Sequence, residues 1–388
     1  MVQKALALFV FFVSFVGALP VSANETDQYN LPPKPLADIA PEVEAYVAQH
    51  IQAAIDKLNA DIAKHEGCLK PRPSDAFGSR LPSTTITEAP PRRPADCGTA
   101  KTYRAKLDQL RTPDAVAQAV HEELGAGNIF ISNTGKWLNT HKFEAQPARY
   151  TTTYAESIYW SAPVDYATIS PTIRVYGVEF GTDKFDHLFQ QGYTYYRKYN
   201  AAKKAGKTDA EALKTVVAYG RFTENTFFGY TVSGVYSNAD LAANIAGLKF
   251  YIGLASRVNI YDEIVPPVTE MIDGRWKITH TGAISEYSPG KSDAARLLFR
   301  FITPHLNEAL NPSNYLFFLY PVVKSVVQKR ACPEWRAAYP NVTRDEFKRR
   351  TGDLTTWNGL DYGYKQTSRQ VRLADVCFVD DKTRVAGE

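Results

Sequence analysis

A glutamate, Glu224, lies where a predicted helix meets a Gly-broken segment in the run RFTENTFFGYTVSGVYSNADLAAN, residues 221–244. The helix is predicted over 208–224, where Val217 and Gly220 share a face with Glu224 and should turn it toward a core. Burial disfavours the charged form of a carboxyl group and raises its pKa. A carboxyl group that keeps its proton near neutral pH can act as the general acid in cleavage of a glycosidic bond.

A structural interpretation of Glu224 stays open beside this one, in which the partly buried acid caps its helix or pairs with Arg221. The segment that follows, FFGYTVSGVYS, has Gly229 and Gly234 for turning and β-prone Tyr, Thr and Val residues. Such a segment would form one wall of a sugar-binding groove.

Polar residues recur at intervals of four in VEFGTDKFDHLFQQGYTYY, residues 178–196. On the helix predicted over 182–199, Asp183, His187 and Gln191 face the same way. Asp183 would hold His187 in one tautomer, or both would bind a metal ion. Metal sites need three or four ligands, and this window offers one histidine, so a substrate-binding or purely structural pair stays open too. The Asp-Lys-x-x-His run also resembles a short motif of some membrane-embedded or lipoprotein envelope proteins.

A third helix, predicted over 237–254, places Asp240, Asn244 and Gly247 on one face. Asp240 either caps its own helix or belongs to a site, and the two roles are compatible. Gly247 would let another backbone or a sugar approach closely.

The order of these elements, a helix ending in Glu, a short segment with Gly and aromatics, then a helix, resembles the core of the lysozyme-like superfamily of lysozymes and lytic transglycosylases. The resemblance covers about residues 208–254. Asn225 follows the glutamate where transglycosylases usually have Ser, their Gly-Leu-Met-Gln run is missing, and no second carboxylate lies in the turn. The resemblance implies that Glu224 is catalytic and that the substrate groove is lined by Asp183, His187, Tyr230, Ser233, Tyr236, Asp240 and Asn244.

Periodicity and capping signals predict a mainly α (α+β) fold. A short β-hairpin or turn segment should follow the helix of Glu224 in a lysozyme-like core. Short strands or loops are expected in 128–174, and a strand with a turn in 276–289. Disulfide-tied irregular extensions should flank this core on both sides. Helices are predicted over 41–66, 112–125, 182–199, 208–224, 237–254, 292–311 and 314–329.

The first 23 residues read as a secretory signal peptide, with Lys4 before an apolar run and small residues before the expected cleavage point. We therefore expect an exported protein, periplasmic or secreted. Residues 24–100 should form an N-terminal helix and a Pro-rich loop, 101–330 the helical core, and 331–388 a C-terminal extension packed on that core.

The chain contains four cysteines, and an oxidising compartment would make disulfides the default. Of the three possible pairings, the nearest-neighbour one, Cys68 with Cys97 and Cys332 with Cys377, is favoured. The CxxC spacing typical of zinc or redox sites does not occur.

The composition narrows the classes of molecule that the protein is expected to bind. A net charge of +4 without a basic stripe argues against nucleic acid, and 23 Tyr and 20 Phe suit stacking on sugar rings. The apolar run at 314–327 is interrupted by Pro321 and Lys324, which favours a buried helix over an interfacial one, and we expect no transmembrane segment after the signal peptide. We find no phosphate loop, no HExxH and no nucleophile elbow, and expect no cofactor and no metal.

Three functions follow from these observations. The first is an exported glycoside hydrolase that cleaves peptidoglycan or another polysaccharide, with Glu224 as general acid. The second is a metal-dependent hydrolase centred on Asp183 and His187. The third is a non-catalytic envelope protein in which the same polar residues hold helices together.

Overall fold

The structure, a computed structural model, describes residues 25–69, 99–128, 131–160, 169–226, 228–231, 233–260, 263–279 and 297–378. The signal peptide predicted over 1–23 and the cysteine expected to pair with Cys68, Cys97, lie outside these residues.

The described chain is helix-rich, as the sequence predicts. Its α-helices are α1 (Ala40–Leu69), α2 (Ala100–Leu110), α3 (Pro113–Leu124), α4 (Asn133–Thr140), α5 (Asp183–Asp186), α6 (Gly192–Lys204), α7 (Asp209–Asn225), α8 (Asn238–Gly253), α9 (Tyr320–Val326), α10 (Cys332–Ala338), α11 (Arg344–Thr351) and α12 (Leu373–Val376). Two π-helical segments, His187–Gln191 and Val327–Ala331, and a 3₁₀ turn at Pro304–Leu306 adjoin them.

In the described part of the chain the strands pair as four separate two-stranded antiparallel ribbons. They are β1 (Thr172–Val175) with β2 (Val178–Gly181), β3 (Val235–Tyr236) with β8 (Asn314–Tyr315), β4 (Val258–Ile260) with β5 (Glu263–Val265), and β6 (Thr269–Ile272) with β7 (Arg275–Ile278).

Capping residues set the helix starts where the sequence predicts them. Thr112 caps α3 before a proline at the first helical position, and Thr208 with Glu211 forms a complete capping box on α7. Ser237 caps α8 by accepting a hydrogen bond from the backbone N–H of Asp240. The caps at Thr208 and Ser237 fix the N-terminal ends of α7 and α8, the helices that carry Glu224 and Asp240.

Two apolar cores adjoin each other. The larger one is built mainly from α1, α3, α6, α7 and α8 with the β1–β2 ribbon. The smaller one gathers α9 to α12 around Trp335 and Phe347. The predicted disulfide between Cys332 and Cys377 is confirmed and lies in this smaller core.

The segment 25–29 is buried although it precedes the first helix. The Thr26 hydroxyl donates to Asp183 at 2.7 Å, beside the larger core, and Tyr29 donates to the Val371 carbonyl at 2.6 Å, within the smaller one. This segment therefore runs along the boundary between the cores, where Thr26 binds Asp183 beside the larger core and Tyr29 packs in the smaller one.

The helix predicted over 182–199 is interrupted by one π-helical turn. The Gly192 N–H donates to the His187 carbonyl, five residues earlier. The same region packs closely against α8, because a Cβ on Gly247 would lie 2.0 Å from the Leu188 carbonyl oxygen. Gly247 therefore admits another backbone, and that contact sets His187 against the first turns of α8.

Several sequence predictions are wrong within the described residues. Residues 133–140 form a helix instead of the short strands or loops expected there, because Ser132 caps them. Residues 297–311 contain only a 3₁₀ turn, because Thr303 precedes a proline and is extended (φ −137°, ψ 162°). The strand after Glu224 forms no local hairpin, since Val235–Tyr236 pairs with the distant Asn314–Tyr315. The C-terminal extension, which was expected to be irregular, contains α10, α11 and α12.

None of the helices in the described part of the chain is long and apolar enough to cross a membrane.

Candidate functional site

A fully buried lysine, Lys184 of α5, lies at the centre of a charge cluster. Its ammonium group donates to Asp183, to Asp240 at 2.6 Å and to Glu308 at 2.6 Å. Burial alone would lower the pKa of Lys184, but the three carboxylates raise it well above its ordinary value. Lys184 is therefore charged, and its charge holds together residues from three distant parts of the chain.

Neutral hydroxyl groups also donate hydrogen bonds to one of these acids, Glu308. Glu308 accepts hydrogen bonds from the Ser237 hydroxyl at 3.1 Å and the Ser313 hydroxyl at 3.0 Å. Its backbone N–H donates to the Gln28 side chain, so the boundary segment also touches this acid. Burial raises the pKa of Glu308 in spite of the nearby Lys184 charge.

His187 begins the π-helical turn and is the cluster member that reaches solvent, with 17% of its side chain exposed. Its Nε2 lies 3.2 Å from Asp240 Oδ2, and its Nδ1 lies 3.1 Å from Asn244 Oδ1. The Asn244 amide nitrogen in turn donates to the Tyr195 hydroxyl at 3.3 Å, which orients the amide oxygen toward His187. Burial alone would lower the pKa of His187, but the Asp240 charge raises it to about 9, so both ring nitrogens donate.

Glu224 ends α7 with 1% of its surface exposed. Within the described residues its carboxyl group accepts one hydrogen bond, from the Ser237 N–H at 3.1 Å. Burial and the neighbouring Asp240 charge raise its pKa to about 8, so it is mainly protonated at neutral pH. Arg221 pairs with Asp361 instead, which removes the predicted alternative of an Arg221–Glu224 ion pair.

The pKa of Asp240 is shifted in the opposite direction to that of Glu224. Burial would raise its pKa, but the His187 and Lys184 charges hold it below the ordinary range, so Asp240 is ionised. Its carboxylate binds those two side chains, and the Ser237 hydroxyl serves as cap of α8. The site thus combines a protonated acid, Glu224, with an ionised one, Asp240, and this difference permits acid–base chemistry.

Carboxylates and His187 also approach one another closely enough to hold a metal ion. In each of two groups the potential ligand atoms lie within 4.8 Å of one another: Asp183, His187 and Asp240, and Glu25, Asp240 and Glu308. Lys184 and a protonated His187 already supply positive charge to Asp183 and Asp240, so a metal ion would have to compete with them. The set of Asp183, His187 and Asp240 fits a divalent cation only if His187 gives up a proton.

Two of the other residues predicted to bind substrate, Ser233 and Tyr236, donate to backbone carbonyls. Ser233 is buried and its hydroxyl donates to the Gly229 carbonyl at 3.2 Å within its own turn. The Tyr236 hydroxyl donates to the Gly363 carbonyl at 2.8 Å. Tyr230 is half-buried, and the Lys365 ammonium lies 4.9 Å from the centre of its ring.

Sequence reasoning brought together Asp183, His187, Glu224, Asp240 and Asn244 but missed Lys184 and Glu308. A signal for Lys184 was present, since it lies one helical turn before buried Leu188 and therefore on an apolar face. Glu308 had no comparable signal, because it joins the cluster from 124 residues away in a region where a helix was wrongly predicted.

No family model, curated protein or solved structure matches this chain.

Proposed function

We propose that the protein is an exported glycoside hydrolase that cleaves the glycan strands of peptidoglycan, with Glu224 as the general acid. The observation that carries the proposal is the pair of buried carboxyl groups whose pKa values are driven apart, Glu224 upward and Asp240 downward. Glycoside hydrolysis uses such a pair: one group gives a proton to the leaving oxygen, and the other bears negative charge.

In this proposal Glu224 protonates the glycosidic oxygen, and ionised Asp240 stabilises the positive charge that develops at the anomeric carbon. His187 and Asn244 hold the Asp240 region in place, and the partly exposed His187 forms the edge of the cluster that the sugar meets. Water, or a substituent of the sugar itself, then attacks the anomeric carbon.

Access to Glu224 requires movement of the chain. The turns after α7 are fastened to its last residues, since the Tyr230 N–H donates to the Glu224 carbonyl at 2.9 Å. Because Glu224 is almost fully covered while His187 is partly exposed, a sugar would first meet His187 and would reach Glu224 only when these turns open. The proposal thus includes an opening step before catalysis.

The test is the release of soluble fragments from purified cell-wall sacculi by wild type and by Glu224→Gln. We expect wild type to release fragments and the folded variant to release at least about a hundredfold fewer, as loss of a general acid predicts. Glu270→Gln, at an exposed position of β6, makes the same chemical change away from the site and should be as active as wild type.

Reducing ends on the fragments would identify hydrolysis, and anhydro ends would identify transglycosylation. Equal release by wild type and Glu224→Gln, or release by neither, contradicts the proposal. In either case the buried cluster is better explained as an ion network that holds the helices together.

A metal-dependent hydrolase is the second candidate, favoured by the close approach of Asp183, His187 and Asp240. It predicts stoichiometric divalent metal in the purified protein and loss of both metal and activity with a chelator. Asp183→Asn should then lose metal, whereas in the glycosidase proposal chelation leaves fragment release unchanged.

A further inference from the structure

The segment that leads into α9 exposes two adjacent phenylalanines. Phe317 is 74% exposed and Phe318 50% exposed, with ring centres 5.4 Å apart in an edge-to-face arrangement. Neighbouring Leu319 is buried in the smaller core. Exposed large apolar side chains that form a contiguous patch mark a surface that binds something.

The backbone holds these two rings in a defined position. The Tyr320 N–H donates to the Leu316 carbonyl at 2.9 Å, so the helical turn already begins before α9. The Leu316 N–H donates to the Gly234 carbonyl at 2.9 Å, which fastens the turn to the segment after Glu224. The phenylalanines are therefore presented on an anchored turn.

The exposed face of this helical region changes character along its length. Leu319, Val323, Val326 and Val327 form the buried stripe. Opposite them, Phe317 and Phe318 come first and half-buried Lys324 follows, with its ammonium 5.9 Å from the ring centre of Tyr320. Exposed Lys329 and Arg330 lie at the far end, so an aromatic tip passes into a basic flank.

The charge of this stretch has one sign. Between Glu308 and Glu334 the sequence carries three basic residues and no acidic one. Both flanking glutamates are engaged elsewhere, Glu308 with Lys184 and Glu334 with the Leu31 N–H at 3.3 Å.

Among the described residues Lys324, Lys329 and Arg330 form no ion pair, although the Arg330 guanidinium donates to the Ala155 and Glu156 carbonyls. A surface that joins exposed aromatic rings to such cations is complementary to an anionic lipid interface, where rings enter the headgroup region and cations meet phosphates.

We propose that this aromatic–basic surface, formed by Phe317, Phe318, Tyr320, Lys324, Lys329 and Arg330, docks the protein on the surface of an anionic phospholipid membrane. The two rings insert at the headgroup level, and the lysines contact phosphate groups beside them. The contact is peripheral, and it brings the turns after Glu224 close to the bilayer. This inference does not depend on the proposed function.

The experiment is co-sedimentation of the purified protein with vesicles of phosphatidylglycerol and phosphatidylethanolamine, and with vesicles of phosphatidylcholine alone. Every variant carries the same N-terminus, so any contribution of the apolar first residues is constant. Wild type should bind the anionic vesicles, and salt should weaken that binding. Phe317→Ser/Phe318→Ser should weaken it by about tenfold or more.

Two further variants distinguish the parts of the surface. Lys324→Gln/Lys329→Gln should reduce binding to anionic vesicles and remove most of its salt dependence, because the phosphate contacts are lost. Ile264→Ser removes a side chain that is 69% exposed on β5, away from this surface, and should bind like wild type.

Some outcomes would overturn the proposal. Failure of wild type to bind anionic vesicles would do so, as would equal binding by wild type and the double phenylalanine variant. If that variant instead loses dimerisation or binding to soluble glycan fragments, the occupant is a second copy or a sugar. Vesicles contain no peptidoglycan, so their result is independent of the sacculus assay.

Discussion

Two buried glutamates in different regions of the molecule are held in contrasting ways. Glu44, on α1, accepts hydrogen bonds from the Leu297 N–H at 2.6 Å, the Leu298 N–H at 3.3 Å and the Tyr176 hydroxyl at 2.6 Å. Glu224, at the end of α7, accepts one from the Ser237 N–H in the described chain and lies among charged groups.

The difference separates an acid that fastens the fold from one that is suited to proton transfer. Neutral donors on both oxygens of Glu44 tie α1 to two other segments and leave little capacity for a ligand. Glu224 is governed instead by burial and by the Asp240 charge, which favour its protonated form. Burial alone thus does not mark a candidate functional acid, whereas burial with few donors and a neighbouring carboxylate does.

The largest expected effect tests the charged side of this comparison. Lys184→Met should destabilise the protein by about 3–5 kcal/mol, because Asp183, Asp240 and Glu308 would lose the cation that compensates their burial. Urea unfolding at pH 7, monitored by circular dichroism, measures this change.

Lys203→Met is the matched control, since Lys203 pairs with Asp209 at the surface. An exposed pair contributes at most about 1 kcal/mol, so this variant should unfold almost like wild type. Similar losses in the two lysine variants would mean that Lys184 does not compensate buried charge.

A smaller effect compares the two glutamates directly. Glu44→Gln should cost about 1–3 kcal/mol, because the new amide group would set a donor against the donors that Glu44 accepts from. Glu224→Gln should change the free energy of unfolding by less than about 1 kcal/mol below pH 4.5, where a neutral amide replaces a neutral acid and its oxygen still accepts from Ser237. At pH 7 it should stabilise the protein, because ionisation of Glu224 favours the unfolded wild type and the amide does not ionise.

The same urea titration measures both variants. If Glu224→Gln were as destabilising as Glu44→Gln, Glu224 would be an ionised structural acid. The difference in pKa that carries the proposed function would then be absent.

The sequence predicted the local parts of this arrangement. Caps at Thr208 and Ser237 gave the starts of α7 and α8, and the apolar face of α7 turned Glu224 toward a core, because both signals act within a few residues. The spacing of four between Asp183 and His187 was read correctly as one face of a helical stretch. The predicted contact in which Asp183 holds the His187 ring is wrong, because Asp240 and Asn244 bind that ring instead.

Contacts between distant segments could not be predicted from the sequence. The pairing of Tyr236 with Asn314 overrides the helical periodicity of the apolar run that follows Asn314. Glu308 and Thr26 enter the cluster through tertiary packing, which no local pattern encodes. The buried charges are therefore explicable from the structure, although their partners were not predictable one segment at a time.

A pH dependence of the free energy of unfolding should distinguish Glu224 from His187. The folded-state pKa of Glu224 is about 8 against an ordinary 4.5, so the unfolded chain loses this proton first and stability falls as pH rises from 4.5 to 8. The folded-state pKa of His187 is about 9 against 6.5, so its contribution is fully present below pH 6.5 and is lost as pH rises to 9.

Both groups thus make the free energy of unfolding decrease with pH, by at most about 1.4 kcal/mol per pH unit each, which is the slope for one proton. Glu224→Gln should flatten the profile between pH 4.5 and 8, and His187→Gln should flatten it between 6.5 and 9. Unfolding midpoints across this range, with Glu44→Gln as reference, measure the two windows. A Glu224→Gln profile parallel to wild type would show that Glu224 has an ordinary pKa, and the contrast with Glu44 would then rest on hydrogen bonding alone.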